Sequence, residues 1–261
     1  MQIKIIGCSG SFPGPDSAAS SYLIEADGFR LLMDLGAGAL GALQRYADLY
    51  AIDAVCISHL HGDHCLDLCS YSVARLYHPD GRQPRIPVYG PSQTEARLSQ
   101  ALAADPAQAV ADPGHGMTDA FSFTAITPGT MEVGPLRITA ARMAHPVETY
   151  GFRIEHAGRV LAYSADTGPS DALVDLARNA DFLLCEASFL EPADGGAAGL
   201  PPGLHLTGLQ AAQHAERAGA GELVLTHLVP WNDQDRTLDE ARGAFSGESY
   251  LAAPGLSLLL E

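Results

Sequence analysis

Four side chains able to bind a metal ion fall within six residues, in the segment Ser58-His59-Leu60-His61-Gly62-Asp63-His64. The apolar run Ala54–Ser58 ahead of them reads as a strand. Residues two apart on an extended chain point the same way, so His59 and His61 can converge on one ion. The chain then turns at Gly62, which sets Asp63 and His64 towards the far side of that ion, where a second could sit. So many imidazole and carboxylate donors at one spot are costly to a fold unless something electropositive gathers them. A solvated loop that happens to be histidine-rich is the bland alternative, and the rest of the chain argues against it. His145 in Ala-His-Pro, Asp166 in Ala-Asp-Thr and His227 in Thr-His-Leu each follow an apolar strand, the position where α/β folds place their sites. An aspartate can supply the oxygen bridge that two divalent ions a few ångströms apart require. The chemistry implied is hydrolysis assisted by two metal ions. Imidazole and carboxylate donors without thiolate suit Zn²⁺ first, with Mn²⁺ or Fe²⁺ also admitted. Cys65 and Cys69, one helical turn apart beside the cluster, are read as buried packing because the donor set is complete without them.

The elements that position these residues show as pattern. Strand-like runs cover Ile3–Gly7, Ala19–Glu25, Phe29–Asp34, Ala54–Ser58, Ile86–Tyr89 and Phe121–Ile126. Later runs are Met131–Ala141, Thr149–His156, Val160–Ser164, Phe182–Glu186, Glu222–Thr226 and Gly255–Leu260. Helical patterns fall at Gly38–Tyr46, Leu66–Leu76, Ser92–Ala103, Ser170–Asn179, Thr207–Gly219 and Leu238–Ala244. Thr207 and Ser170 are well placed to cap the helices they precede. Early strands follow one another closely while later ones alternate with helices, which predicts an α/β protein with two sheets inside and helices outside, in one domain over residues 1–261. The Gly-, Pro- and Ala-rich segments 104–120 and 190–204 are candidate lids. Gly36-Ala-Gly38-Ala-Leu-Gly41 imitates a dinucleotide-binding turn. No strand ending in an acidic residue follows at the required distance, so it is read as a tight strand-to-helix turn, with Asp34 as a turn residue or a support for the ligands.

Composition narrows the partners. The chain has 261 residues, 47% of them hydrophobic and 18% charged, and a formal net charge of −16. Lys4 is its single lysine. Proteins that grip long nucleic acid normally neutralise phosphates with a basic patch, so extended RNA or DNA is a poor expected partner. No apolar run is long enough to span a membrane, and the opening residues lack a secretory pattern. Five scattered cysteines fit reduced thiols in the cytoplasm better than disulfides.

The His-x-His-x-Asp-His cluster followed by single His, Asp and His ligands resembles the metallo-β-lactamase superfamily. The likeness runs from the opening Ile-Gly-Cys-Ser-Gly-Ser to the last strand. It implies a metallo-β-lactamase-type αββα sandwich of two mixed sheets flanked by helices, with the metals at one edge. It further implies that His59, His61 and His145 hold one ion, that Asp63, His64 and His227 hold the other, and that Asp166 bridges them. The bridging aspartate separates the chain from true β-lactamases, and the surroundings of the third histidine separate it from thiolesterases of the glyoxalase II type. The segments Cys-Glu186-Ala-Ser-Phe and Leu-His205-Leu-Thr resemble the extra signature of ribonuclease Z-like phosphodiesterases. On that likeness a hydroxide between the ions attacks phosphorus, Asp63 orients it while ligating, and His205, held by Glu186, protonates the leaving oxygen.

Two departures from the tRNA-processing members bear on substrate. Only a short hairpin's worth of chain separates His145 from Asp166, where those enzymes carry a long arm. The loop Phe12–Ser20 also lacks their basic residues. Segments such as Gly-Pro-Asp-Ser-Ala-Ala-Ser-Ser-Tyr-Leu and His-Gly-Asp-His-Cys-Leu-Asp-Leu are similar to actinobacterial atypical class II cyclic-nucleotide phosphodiesterases. The implied substrate is therefore a small phosphodiester, 3′,5′-cyclic AMP, and the relatives suggest a homodimer. A tRNA 3′-endonuclease, a thiolester or lactone hydrolase, and a non-catalytic binding protein stand as alternatives. Tyr150, Phe189 and Trp231 lie near site segments and could stack on a base or pack in the core.

Overall fold

Strict alternation along the early strands decides which side chains meet. Ile3 and Ile5, Tyr22 and Ile24, Leu31 and Met33, and Ala54 and Cys56 all point into one buried layer, while Leu23, Leu32 and Val55 between them point into another. The computed structural model describes residues 1–105, 116–192 and 203–260. The candidate lids 104–120 and 190–204 lie largely outside the described residues.

The first half supplies β1 (Gln2–Ser9), β2 (Ala18–Ala19), β3 (Ser21–Ala26), β4 (Phe29–Met33), β5 (Ala54–Cys56), β6 (Ile86–Gly90) and β7 (Phe121–Ala125). Helices α1 (Ala39–Leu43), α2 (Gly62–Cys65), α3 (Asp67–Leu76), α4 (Thr94–Leu102) and α5 (Met117–Ala120) lie between these strands. The second half supplies β8 (Gly129–Val133), β9 (Leu136–Arg142), β10 (Tyr150–His156), β11 (Arg159–Tyr163), β12 (Phe182–Glu186), β13 (Glu222–Thr226) and β14 (Glu248–Leu251), with α6 (Asp171–Leu176), α7 (Gly208–Ala218) and α8 (Gln234–Arg242). The last strand, β15 (Ser257–Leu259), returns to the first sheet. The strand orders are β15-β1-β3-β4-β5-β6-β7, with β2 beside β1, and β14-β13-β12-β11-β10-β9-β8.

The sheets face each other across a core that interleaves Ile5, Tyr22, Ile24 and Met33 with Ile138, Phe152, Ile154 and Leu184. The outer face of the first sheet is covered by Leu43, Leu68, Tyr71 and Leu98 of its helices, and that of the second by Leu173, Leu176, Ala211 and Ala215. This is the expected αββα sandwich of two mixed sheets.

Strand β14 and the short helices α2 and α5 have no counterpart in the pattern reading, and two further elements differ from it. The run Met131–Ala141 is a hairpin, not one strand, because Gly134 takes φ 57° and Val133 pairs with Leu136. Only two residues, Gly134 and Pro135, separate the strands, and the burial alternation shifts phase there, from Val133 to Leu136, so a run read as continuous hides the break. Helix α8 begins four residues before the expected Leu238, since the Asp233 carboxylate accepts from Arg236 N and caps it.

Strand direction places the site. The pairs β4–β5, β11–β12 and β12–β13 are parallel. β9 and β11 both lie antiparallel to β10, so they too share a direction. Asp34, His59, His145, Asp166, Glu186 and His227 therefore all stand at or just beyond strand C-terminal ends on one edge of the sandwich. There the two sheets are tied by Tyr150 N donating to Ser58 O at 3.0 Å, by the Tyr22–Thr226 hydroxyl pair at 2.7 Å, and by Tyr163 OH donating to Asp34 at 2.8 Å.

Candidate metal centre

Three non-glycine residues in the left-handed region mark this edge: Asp34 (φ 58°) after β4, Ala165 (φ 50°) after β11 and His227 (φ 54°) after β13. Such backbone costs about 1–3 kcal/mol per residue and persists where the surroundings over-determine it. Here each turn swings a chemically active side chain off its strand. Glycines give close approach rather than nucleotide binding. A Cβ on Gly36 would stand 1.8 Å from the Asp63 carbonyl oxygen, and one on Gly10 would stand 2.8 Å from His227 Nδ1. The Gly36–Gly41 turn is thus the seat on which α2 rests.

The ring orientations follow from one hydrogen-bond system. Asp34, fully buried, accepts from Ser58 N at 2.7 Å, and from Ser58 Oγ, Tyr163 OH and His64 Nδ1 at 2.8 Å each. Ser58 Oγ in turn takes His59 Nδ1–H at 3.1 Å. His145 Nδ1 donates to Leu204 O at 3.1 Å, and His227 Nδ1 to Ser188 Oγ at 2.7 Å. With Nδ1 committed in all four, Nε2 is the nitrogen each ring has left to offer a lone pair from once that nitrogen is deprotonated, the arrangement that carboxylate and carbonyl partners produce around metal ligands.

Those lone pairs converge. His59 Nε2 lies 3.0 Å from His61 Nδ1, which lies 3.4 Å from His145 Nε2, and Asp166 Oδ2 is 3.5 Å from His59 Nε2. On the other side, Asp63 Oδ2 lies 3.1 Å from His227 Nε2 and 3.6 Å from His64 Nε2. Asp166 Oδ1 reaches His64 Nε2 at 3.2 Å and His227 Nε2 at 3.4 Å. Two donor groups result, His59–His61–His145–Asp166 and Asp63–His64–His227, each with its ligand atoms within 4.8 Å of one another. Asp166 faces both with different oxygens. Both His64 Nε2 and Asp166 Oδ1 are buried without a hydrogen-bond partner. Buried polar atoms that face one another unsatisfied are expensive, and a pair of divalent cations is what this donor set fits.

Electrostatics agree. Burial, reinforced by neighbouring imidazoles, holds His59, His61 and His145 below the usual histidine range, which favours the neutral form that metal binding requires. Burial opposes charge on His64 too, but Asp166 and Asp34 overcome it and hold its pKa up. The Asp63 and Asp166 carboxyls would be raised by burial, yet the histidines around them hold both well below the usual range.

His205 completes the arrangement. It lies two residues before Thr207, whose hydroxyl caps α7 in a reciprocal pair with Gln210. Its Nδ1 donates to Glu186 Oε2 at 3.0 Å and lies 3.9 Å from Asp166 Oδ2, leaving Nε2 for a substrate. Burial disfavours its charge, but Glu186 outweighs burial and lifts its pKa to about 9. Glu186 also accepts from Thr167 N at 2.5 Å and from Ser188 Oγ at 2.7 Å. One carboxylate thereby fixes His205 directly and His227 through Ser188. The donors Asp166, His205 and His227 form a third convergent group, so the geometry alone leaves His205 open as a ligand.

All nine site residues expected from the sequence meet here. Ser58, Tyr163 and Ser188, which hold the rings, were not anticipated. Ser188 sits inside the Glu-Ala-Ser-Phe segment and offered a signal, whereas Tyr163 meets Asp34 only across the sandwich. Cys65 and Cys69 donate to the carbonyls of His61 and Leu98, and burial raises Cys65 to about 12, so neither is a ready thiolate. Replacing Asp34 by Asn removes the charge that holds His64 Nδ1–H. Metal affinity is expected to fall about 10–100-fold, read by calorimetric titration of the metal-free chain; an unchanged affinity would remove Asp34 from the supporting set.

Residues 29–228 match the family described as "Beta-lactamase superfamily domain". The Mycobacterium tuberculosis protein Rv1339 is 43% identical over 249 residues, covering 95% of this chain and 88% of that one. The crystal structure of the metallo-β-lactamase fold protein YhfI from Bacillus subtilis superposes with a TM-score of 0.82 at 31% identity, covering 98% of both chains. A ribonuclease Z of Haloarcula marismortui is 25% identical over 317 aligned residues, covering 100% of this chain and 97% of its own. Among the described residues no helix is long and apolar enough to cross a membrane. With the family pattern matched over most of its length and relatives aligned nearly end to end, the chain belongs to the β-lactamase superfamily and is a metallo-hydrolase of that fold.

Proposed function

We propose that the protein is a dinuclear phosphodiesterase that hydrolyses 3′,5′-cyclic nucleotides, cyclic AMP foremost, to 5′-nucleotides. The observation that carries the reading is His205, clamped by Glu186 and turned towards the Asp166 side of the donor cluster. Hydrolysis of a phosphodiester expels an alkoxide, which needs a proton; a thiolate leaving group needs one far less. In this reading His59, His61 and His145 would hold one Zn²⁺, Asp63, His64 and His227 would hold the other, and Asp166, which faces both donor groups, would serve both. When bound, the two ions supply Lewis acidity towards the phosphoryl oxygens and acidify water. Asp63 orients the attacking water. His205 donates from Nε2 to the departing 3′-oxygen, and Glu186 keeps the ring protonated and aimed.

A small substrate is supported by the hairpin β10–β11, which turns at Ala157 and Gly158 and fills the segment between His145 and Asp166. Haloarcula ribonuclease Z aligns over 317 positions against a chain of 261 residues, so it carries segments that this chain lacks. The net charge of −16 also disfavours a long polyanion. We further propose that the chain acts as one domain, because both halves contribute to the core between the sheets.

The test is a parallel assay of the zinc-loaded enzyme on cyclic AMP, cyclic GMP, bis-p-nitrophenyl phosphate and precursor tRNA. Release of 5′-AMP with intact tRNA is expected. Cleavage of the tRNA at its 3′ trailer, with cyclic AMP untouched, would replace this reading with the endonuclease.

A further inference from the structure

The three aromatic residues near the site have different surroundings. Tyr150 is buried, its hydroxyl donating to Ile126 O at 3.1 Å and to Glu148 at 2.8 Å. Phe189 meets the edge of His205, with ring centroids 5.2 Å apart. Trp231 is 72% exposed, the most exposed large hydrophobic side chain described, and among the described residues its ring neighbour is Phe12, itself 38% exposed, at 5.0 Å and 38°. Burying such a ring is ordinarily a large gain, so a tryptophan held out in water calls for something that covers it.

The turn that carries Trp231 is tied to the candidate centre at both ends. It leaves His227, and Leu228 is bracketed by Gly10 N donating to its carbonyl at 3.1 Å and by its own N donating to Cys8 O at 2.9 Å. Asn232 N closes the turn on Val229 O at 3.0 Å, and Asn232 Nδ2 donates to Ser188 O at 2.6 Å. Pro230 packs on Gly14, in the loop that carries Phe12; a Cβ there would stand 3.3 Å from Pro230 Cγ. His227 and Ser188 thus fix a turn whose outward ring is pre-positioned, and a pre-positioned ring loses little freedom on binding.

We propose that Trp231, propped by Phe12, is the platform on which the nucleobase of the substrate stacks. This deepens the cyclic-nucleotide reading and rests on it. In the proposed function the phosphate is met by the ions and His205, which leaves the base to be held by other means, and stacking uses the π-face common to all bases.

Trp231 is the chain's single tryptophan, so intrinsic tryptophan fluorescence reports on this ring alone. Titration of the zinc-loaded protein with adenosine 5′-monophosphate is expected to quench it saturably, and ribose 5-phosphate, which carries the phosphate without the base, is expected not to. Equal responses to the two, or no response to either, would overturn the platform. In kinetics, Trp231→Ala and Phe12→Ala should raise KM for cyclic AMP about tenfold with kcat kept within about twofold. The ratio of kcat/KM for cyclic AMP to that for 1-deoxyribose 3,5-cyclic phosphate should fall with it. Base-selective quenching without cyclic AMP turnover would support the platform while sinking the hydrolysis reading. Turnover with an unmoved KM in Trp231→Ala would sink the platform alone. Emission that shifts with protein concentration, together with a dimer that Trp231→Ala dissolves and no nucleotide effect, would assign the ring to a second copy and overturn the proposal.

Discussion

Asp166→Ala and His64→Ala are expected to fold and to be inactive. Asp166 is buried, with an oxygen 3.2–3.5 Å from each of His59, His64 and His227. It belongs to the sandwich edge and not to any of the three apolar clusters that hold the layers together. Its removal therefore spares the core while taking away the oxygens that face both donor groups. His64 carries the nitrogen that Asp34 aims inward, and its loss leaves Asp34 buried with one partner fewer. A metal pair is worth several kcal/mol of transition-state stabilisation, so kcat/KM for cyclic AMP should drop on the order of 10³-fold or more. A second readout is independent of turnover. A ligand that binds only the native state at 100 times its Kd adds about 2.7 kcal/mol of stability, so Zn²⁺ should raise the Tm of the metal-free wild type and raise that of either variant much less. Retention of most activity by either would end the two-metal account.

His205→Ala separates proton donation from ligation. Glu186 holds Nδ1, Phe189 holds the ring edge and the cap at Thr207 fixes the backbone, so the side chain is placed by contacts that do not need a metal. As a proton donor it is worth about 10²–10⁴-fold in kcat. The variant should lose that factor while KM and the measured zinc content per chain stay close to wild type. Glu186→Gln should lower kcat in the same direction, because an amide can hold the ring but not sustain its charge. Loss of about one zinc per chain in His205→Ala would instead make it a ligand, in the third donor group with Asp166 and His227.

The candidate donors could be read from the chain because chemistry constrains their type and because His59, His145, Asp166 and His227 closely follow strands, with His61, Asp63 and His64 at or in the short helix α2 beside them. An apolar run followed by His or Asp is a local pattern, and the six-residue cluster is denser in ligands than any structural role would require. The layer architecture was legible for the same reason, since period-two alternation is a property of consecutive residues. Where a two-residue turn left apolar runs almost touching, as at Gly134, or a cap lay ahead of the apolar pattern, as at Asp233, local pattern misled.

The tertiary structure decided the second rank of the site. That Tyr163 and Ser58 share Asp34, so that His59 and His64 present Nε2, depends on two sheets meeting. Tyr163 and Asp34 are far apart in sequence and belong to opposite layers. Gly36, read from the sequence as part of a tight strand-to-helix turn, proved to be where the backbone of α2 comes to rest. The aromatic question was settled by burial, a property no single-sequence pattern contains: Tyr150 went to the core, Phe189 to the edge of His205, and Trp231 to solvent. The sequence by itself picked out the candidate groups that the fold brings together, because residue type and strand ends are local. Only the fold decided which nitrogen each group presents and what surrounds it, because those depend on contacts between residues that the chain holds apart.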